Sequence, residues 1–359
     1  MSAKSVTADK ADATGVGGDA RVTSSSVWAR FDHAVVPYVL VSPFFILFIG
    51  FGIFPIVYSG LISFRTFRNE YPTHRSGENI VTFTQDRWIG LENYAKVLTS
   101  GDFWQAMTNT FGIFVLSTVP QLIFALIIAS LLNRRLRAQS FFRVGVLLPY
   151  VTPIVASSIV FVTFFSERYG QANWLLGLVT GCEYDLGFCV DHQMGIGDSA
   201  TTVWGINWRN TWFSSWLAIA IMVNWKWTGY NALLYLAAMQ SIPKDVYEAA
   251  SLDGATPWRQ LWSITVPMIR PMVIFTVVLS TIGGLQLFAE PVQFDENPAS
   301  GNGGNRNQWR TVAQLIWHTG WGPDKDFGYS GAMSWVLFVV VVLIAAFNAW
   351  LANRLGGRK

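Results

Sequence analysis

An all-α membrane protein of six transmembrane helices, with both termini cytoplasmic, is the fold this sequence predicts, and three observations predict it. The 359-residue chain is 52% hydrophobic and 15% aromatic but only 13% charged, about half the charged fraction of an ordinary soluble domain. Six stretches reach the roughly 20 helical residues that a hydrocarbon core requires. The basic residues gather in alternate connections between them, as the positive-inside bias demands.

Taken in order, residues 1–30 open with "MSAKSVTADKADATGVGGDARVTSSSV", rich in Ala, Ser, Thr, Gly and Asp. Without an apolar core they cannot offset the entropy of ordering, so a disordered cytoplasmic tail is expected. No apolar run of a signal peptide precedes Pro37, so the N-terminus is expected to be kept. Residues 31–359 are expected to form one transmembrane domain. Its spans run approximately from Tyr38 to Phe64, Ala106 to Leu132, Phe142 to Phe165, Trp216 to Met239, Pro267 to Phe288 and Ala332 to Leu351. Each needs an intact backbone ladder because lipid supplies no hydrogen-bond partner. The fourth is the most polar, with Asn224, Lys226 and Asn231 inside "IMVNWKWTGYNALLYL".

The link after the second span, "NRRLRAQSFFR", holds Arg134, Arg135, Arg137 and Arg143 and no acid, which assigns it to the cytoplasm. Arg30 before span one, Arg354, Arg358 and Lys359 after span six, and the loop holding Lys244 and Arg259 then fall on the same side. Connections 65–105, 166–215 and 289–331 fall outside. Trp174, Trp204, Trp208 and Trp212 in the second of these read as an interfacial aromatic belt, or as a docking platform for an external partner. Cys182 and Cys189 in the same loop read first as a disulfide on the oxidising side; two idle thiols, or metal binding with Asp191 and His192, are the alternatives.

Several function classes are excluded. A net charge of +3, scattered among apolar runs, offers no face for nucleic acid. No Gly-Lys pair occurs, so there is no Walker phosphate loop, and ATP must be bound by a separate chain. His33, His74, His192 and His318 all lie outside the spans, and neither G-x-S-x-G nor H-E-x-x-H is present. An intramembrane hydrolase or a metal enzyme is therefore unsupported.

The most sharply punctuated polar segment is residues 241–267, "SIPKDVYEAASLDGATPWRQLWSITVP". Ser241 can cap a helix, Pro243 suits its first turn, and Asp245 and Glu248 favour its positive end. Asp253-Gly254 supplies a stop and Thr256-Pro257 a second start, giving helix, turn, helix, with Pro267 at the entry to span five. Tyr247, Ala250, Ser251 and Gly254 share one face, while Leu252, Trp258, Leu261 and Trp262 form a bulky second one. Such a knob reads as a plug for a socket, or as a helical hairpin lying on the membrane.

Glu248-Ala249-Ala250, Gly254 after three residues, and Ile264 and Pro267 at the far end resemble the loop signature of the membrane subunits of bacterial ABC importers, E-A-A, three residues, Gly, nine residues, I-x-L-P. Val266 stands where that family usually has Leu. The preceding Met239-Gln240-Ser241-Ile242-Pro243 is similar to the carbohydrate-uptake branch, which includes the maltose and glycerol-phosphate permeases. Over roughly residues 35–355 the span count and spacing agree. The resemblance implies a cytoplasmic coupling helix between helices four and five, with Glu248, Ala249, Ala250, Asp253, Gly254 and Pro267 engaging a cleft of an ATP-hydrolysing subunit. It also implies a second permease subunit, an ATPase dimer that binds ATP and Mg, an extracellular or periplasmic solute-binding protein, and residence in the bacterial plasma membrane. Glu290 would belong to the external mouth. Gly303 and Gly304, in the turn-rich "DENPASGNGGNRNQW" of residues 295–309, would touch the binding protein or form a passive linker.

Polar groups inside spans are costly and usually face a bundle interior or a watery path. Asn224, Trp227, Tyr230 and Asn231 form a stripe on span four that mixes amides with aromatic faces, a mixture suited to sugar hydroxyls and pyranose C–H faces. Ser280, Thr281 and Gln286 of span five are expected to supplement it. Hydrogen bonding between helices is the competing role for each. Lys226 could attract an anionic substrate, pair with an acid from the partner subunit, or snorkel. The expected substrate is a carbohydrate, a di- or oligosaccharide. A sugar phosphate or polyol is the alternative, and an ion-coupled secondary transporter is disfavoured because the six spans hold no Asp or Glu.

Overall fold

The computed structural model describes residues 27–70, 82–134, 137–166, 170–180, 183–185, 188–190, 203–204, 207–295, 302–304, 306–322 and 325–356. The chain divides into two units, residues 1–58 and 59–359. The first holds α1 (Val27–Phe48), a π-helical turn, Ile49–Ile53, and the start of α2 (Phe54–Ser63). Helix thus begins at Val27, inside the stretch expected to be tail. Residues 1–26 of that tail lie outside the described residues.

The second unit continues with β1 (Arg65–Glu70) and β2 (Thr82–Trp88), an antiparallel pair, then α3 (Glu92–Thr99) and α4 (Gly101–Leu132). Next come α5 (Gln139–Val151), α6 (Ile154–Phe164) and α7 (Gln171–Thr180). Three short antiparallel strands come after them, β3 (Glu183–Asp185), β4 (Phe188–Val190) and β5 (Val203–Trp204). The long α8 (Trp212–Gln240) leads to α9 (Lys244–Leu252), α10 (Pro257–Gln260), a π-helical turn Leu261–Thr265, and α11 (Val266–Met268). The chain ends with α12 (Arg270–Leu285), α13 (Ala289–Phe294), α14 (Val312–Trp321) and α15 (Phe327–Gly356). The connections expected to be loops therefore carry helices and two small sheets, and all-α holds for the spans rather than for the whole chain.

Among the described residues three helices are long and apolar enough to cross a membrane: Tyr38–Ser63, Gly101–Leu132 and Phe327–Leu351. Two more crossings arise if each of two bent pairs counts as one, Gln139–Val151 with Ile154–Phe164 at 91° and Pro257–Met268 with Arg270–Leu285 at 77°. The straight spans expected at Phe142–Phe165 and Pro267–Phe288 are thus broken. Both breaks coincide with prolines spaced four apart, Pro149 and Pro153 in one, Pro267 and Pro271 in the other. Proline removes a ladder donor and drives the residue before it toward extended backbone; Thr152 duly sits at ψ 133°. The kink at Ile269 sets α12 off from Pro267, which stays on the near side of the bend.

At 29 residues α8 is long enough to span but too polar to be among the apolar helices. Protein, not lipid, surrounds much of it. Ala218, Ile219, Met222, Val223, Ala232, Tyr235, Leu236 and Met239 are buried, with α4 along one side through Ala125, Ala129 and Leu132. A helix sheathed in this way can carry amides and a lysine, since neighbouring side chains stand in for the partners lipid lacks. Small residues set the approach distance. A Cβ on Gly229 would collide with the backbone oxygen of Val146 on α5, and one on Gly112 with the Trp216 ring.

The tryptophan-rich connection divides as well. Trp208 is buried beside Phe165 and donates to Asn173 Oδ1 at 3.0 Å, which makes it a core residue rather than part of a belt, whereas Trp174 and Trp212 are exposed. The backbone of Cys189 pairs with Tyr184 in the strand register. Cys182 and the expected disulfide, like Asp191 and His192, lie outside the described residues.

Gly229→Ala is expected to lower the stability of the purified protein by about 1–3 kcal/mol, the usual cost of overpacking. Gly283→Ala, where a Cβ meets nothing within 4 Å, should leave the thermal midpoint unchanged; equal midpoints for both variants would mean that α5 and α8 do not approach closely.

Candidate functional site

The polar knob is built by capping. α9 starts at Lys244 with Pro243 at its N-cap, while Ser241 closes α8 and donates its hydroxyl back to the Ala238 carbonyl at 2.8 Å. Ser241 is therefore the end of one helix, not the start of the next. Gly254 then takes φ +74°, Ala255 N–H reaches the Ala250 carbonyl at 2.9 Å, and Gly254 N–H reaches that of Ser251 at 3.1 Å. These are the two bonds of a Schellman ending, which a left-handed glycine permits. Thr256 caps the next turn over Pro257. Asp253 occupies the C-cap of α9.

The knob is seated rather than hanging. Tyr247 shares a 3.0 Å hydrogen bond with Thr265, and Gln260 reaches both Ser251 and the Ala255 carbonyl. Ala250 is buried, while Glu248, Ala249, Asp253 and Gly254 present an exposed tip. The bulky face does not act as one surface: Leu261 joins the core with Ile242 and Ile269, whereas Leu252 is 90% exposed and Trp258 and Trp262 pair edge to face on the outside.

The second cluster surrounds the middle of α8. Tyr150 of α5 stacks on Tyr230 at 4.7 Å and meets Trp227 edge-on at 5.4 Å. Asn224 donates to the Ala220 carbonyl within its own helix, and its Oδ1 is buried without a partner. Buried polar atoms of that kind call for an explanation, a ligand among them. Asn231 is buried further along the helix. Of the span-five residues, Thr281 donates to the Val277 carbonyl and accepts from Asn348 of α15, so it joins helices. Ser280 is half-buried, and Gln286 is exposed at the end of α12.

Lys226 is held within the chain. It is 8% exposed, and Nζ donates to the Thr152 carbonyl, at the α5–α6 break, at 2.7 Å. Glu290 of α13 is 4% exposed and lies near Trp227 and Lys226. The turn-rich segment is also more than a linker. Gly303 and Gly304 adopt φ +62° and +90°, Asn109 donates to the Asn307 and Arg310 carbonyls, and Trp216 donates to that of Gln308. Tyr150 and Thr152 were not among the residues the sequence singled out, although the paired prolines in "LLPYVTP" around them mark a break inside a span.

Removing the Lys226 ammonium leaves the Thr152 carbonyl at the α5–α6 break without its donor, which costs about 1–3 kcal/mol. Lys226→Met is expected to show such a loss in thermal unfolding, and Lys226→Arg, which keeps a donor, a smaller one. A Lys226→Met protein as stable as the wild type would deny the bond its role.

Residues 121–357 match the family model of the binding-protein-dependent transport system inner membrane component. The lactose transport system permease protein LacF of Rhizobium radiobacter is 31% identical over 92% of this chain and 98% of its own. The arabinooligosaccharides transport system permease protein AraP of Halalkalibacterium halodurans is 29% identical over 92% of each. Among solved structures, a chain of a bacterial ABC transporter involved in the import of the acidic polysaccharide alginate superposes with a TM-score of 0.69 at 20% identity, covering 92% of this chain and 99% of that one. Fold, family model and relatives agree: the chain belongs to the binding-protein-dependent transport inner membrane components, as a multi-pass carbohydrate-uptake ABC permease and a transport subunit without an ATPase site of its own.

Proposed function

We propose that this chain is one of two transmembrane subunits of an ATP-driven importer for a di- or oligosaccharide, working by alternating access. In this reading α8 is a sixth crossing, the two bent pairs are one crossing each, and both termini are cytoplasmic. The partners are a second permease subunit, an ATPase dimer that holds ATP and Mg, and an extracellular or periplasmic solute-binding protein. One observation carries the proposal: the rigid, exposed tip from Glu248 to Gly254, locked by the Schellman bonds and seated on the core of α8. Closure of the ATPases is delivered there and shared by the helices at the knob's two ends.

For the cargo, Trp227, Tyr230 and Tyr150 offer aromatic faces to the C–H side of a pyranose, and the orphan Asn224 Oδ1 can accept from a hydroxyl. Relatives named for lactose and arabinooligosaccharides support that class.

Glu248→Ala is expected to reduce uptake of the cognate sugar roughly 5- to 150-fold, the range of a coupling free energy of 1–3 kcal/mol, while the chain still inserts. Gentle solubilisation of the tagged chain should recover an ATPase, a second permease and a binding protein, identified by mass spectrometry. Full uptake in the variant, or recovery of the chain alone, would overturn the proposal.

A further inference from the structure

A cavity of about 640 Å³ lies beside the knob, between the end of α4, the start of α5 and α9–α10. Its charged lining is Arg134, Arg143, Lys244 and a single carboxylate, Glu248, with Asn133 and Gln139 adding amide groups. The Arg143 Nε is shut away from solvent and has no hydrogen-bond partner. A buried guanidinium nitrogen left unpaired is costly, and three cations against the one carboxylate leave an excess of positive charge around the hollow that favours an anion.

We infer that this cavity binds a phosphate-bearing anion, with Arg143 as its principal ligand and Arg134 and Lys244 contributing charge. Guanidinium groups suit tetrahedral oxyanions through paired, charge-assisted hydrogen bonds. The volume exceeds a bare phosphate and accommodates a substituted one, either a phospholipid headgroup or a free phosphorylated solute. An anion held there ties α4 and α5 to α9, so its occupancy restrains the knob. This is a different site from the aromatic cluster on α8, and it needs no assumption about the transported sugar.

The test uses the complete transport complex in nanodiscs of phosphatidylcholine, with or without phosphatidylglycerol. Retained phosphatidylglycerol is read by native mass spectrometry, and inorganic phosphate binding in phosphatidylcholine discs by hydrogen exchange over residues 239–261. At least one probe is expected to bind, and Arg143→Gln to weaken it roughly tenfold or more. Arg137→Gln, exposed in the same connection but absent from the cavity lining, should leave binding unchanged. Arg143→Lys should restore part of it. Phosphatidylglycerol retention without phosphate binding assigns a headgroup, and phosphate binding assigns a soluble source. If Arg143→Gln fails to accumulate, Arg134→Gln reads the same cavity. Absence of both probes from the wild type, or equal weakening by Arg137→Gln and Arg143→Gln, would overturn the inference.

Discussion

The hydrogen bond from Lys226 to the Thr152 carbonyl is the interaction around which the interior is arranged. In hydrocarbon a peptide group without a partner costs several kcal/mol, and a helix that turns by 91° before Pro153 must expose such groups. Lys226 caps one of them from the neighbouring helix. Glu290 of α13 is buried near the same ammonium. One cation thus pins α8 to the α5–α6 break, and the absence of a side chain on Gly229, packed on the Val146 backbone, holds α5 and α8 close enough for the arrangement to exist.

The aromatic cluster inherits its geometry from the same break. Tyr150 stands two residues before Thr152, so the bend that presents the carbonyl to Lys226 also lays the Tyr150 ring on Tyr230 and against Trp227. Trp227 meets the Tyr150 ring edge-on and lies near Glu290. A polar group that fixes backbone and a ring group that offers surface are therefore one mechanical unit. Asn224, a turn earlier, keeps an unpaired oxygen beside it in a helix whose other polar groups are largely spoken for.

The knob is coupled to this unit through packing rather than through charge. Ile242, Leu261 and Ile269 enter the same core as Tyr235, Leu236 and Met239 of α8 and Leu132 of α4. Protein interiors are close-packed, so a displacement of the knob cannot be absorbed locally and must be shared by its neighbours. The bend at Ile269 supplies a place for that motion between α11 and α12. Tyr247 with Thr265, and Gln260 with Ser251, hold the knob's two arms together.

Local periodicity and punctuation were legible in the sequence. The left-handed Gly254 and the Thr256-Pro257 start are set by neighbours within a few residues, and both are found where they were read; the apolar runs form helix too, but two of them carry breaks. Ser241 was misplaced by one element, because a serine donates to a preceding carbonyl as readily as it caps the next helix. Tertiary structure alone decided the partners. That Lys226 meets Thr152, that Leu261 turns inward while Leu252 and Trp258 turn out, and that the segment holding Gly303 and Gly304 docks against α4 and α8 depend on residues tens to hundreds of positions apart. Local sequence sets backbone conformation through sterics and nearby hydrogen bonds, whereas the pairing of buried polar groups is chosen by which helices the whole core brings side by side.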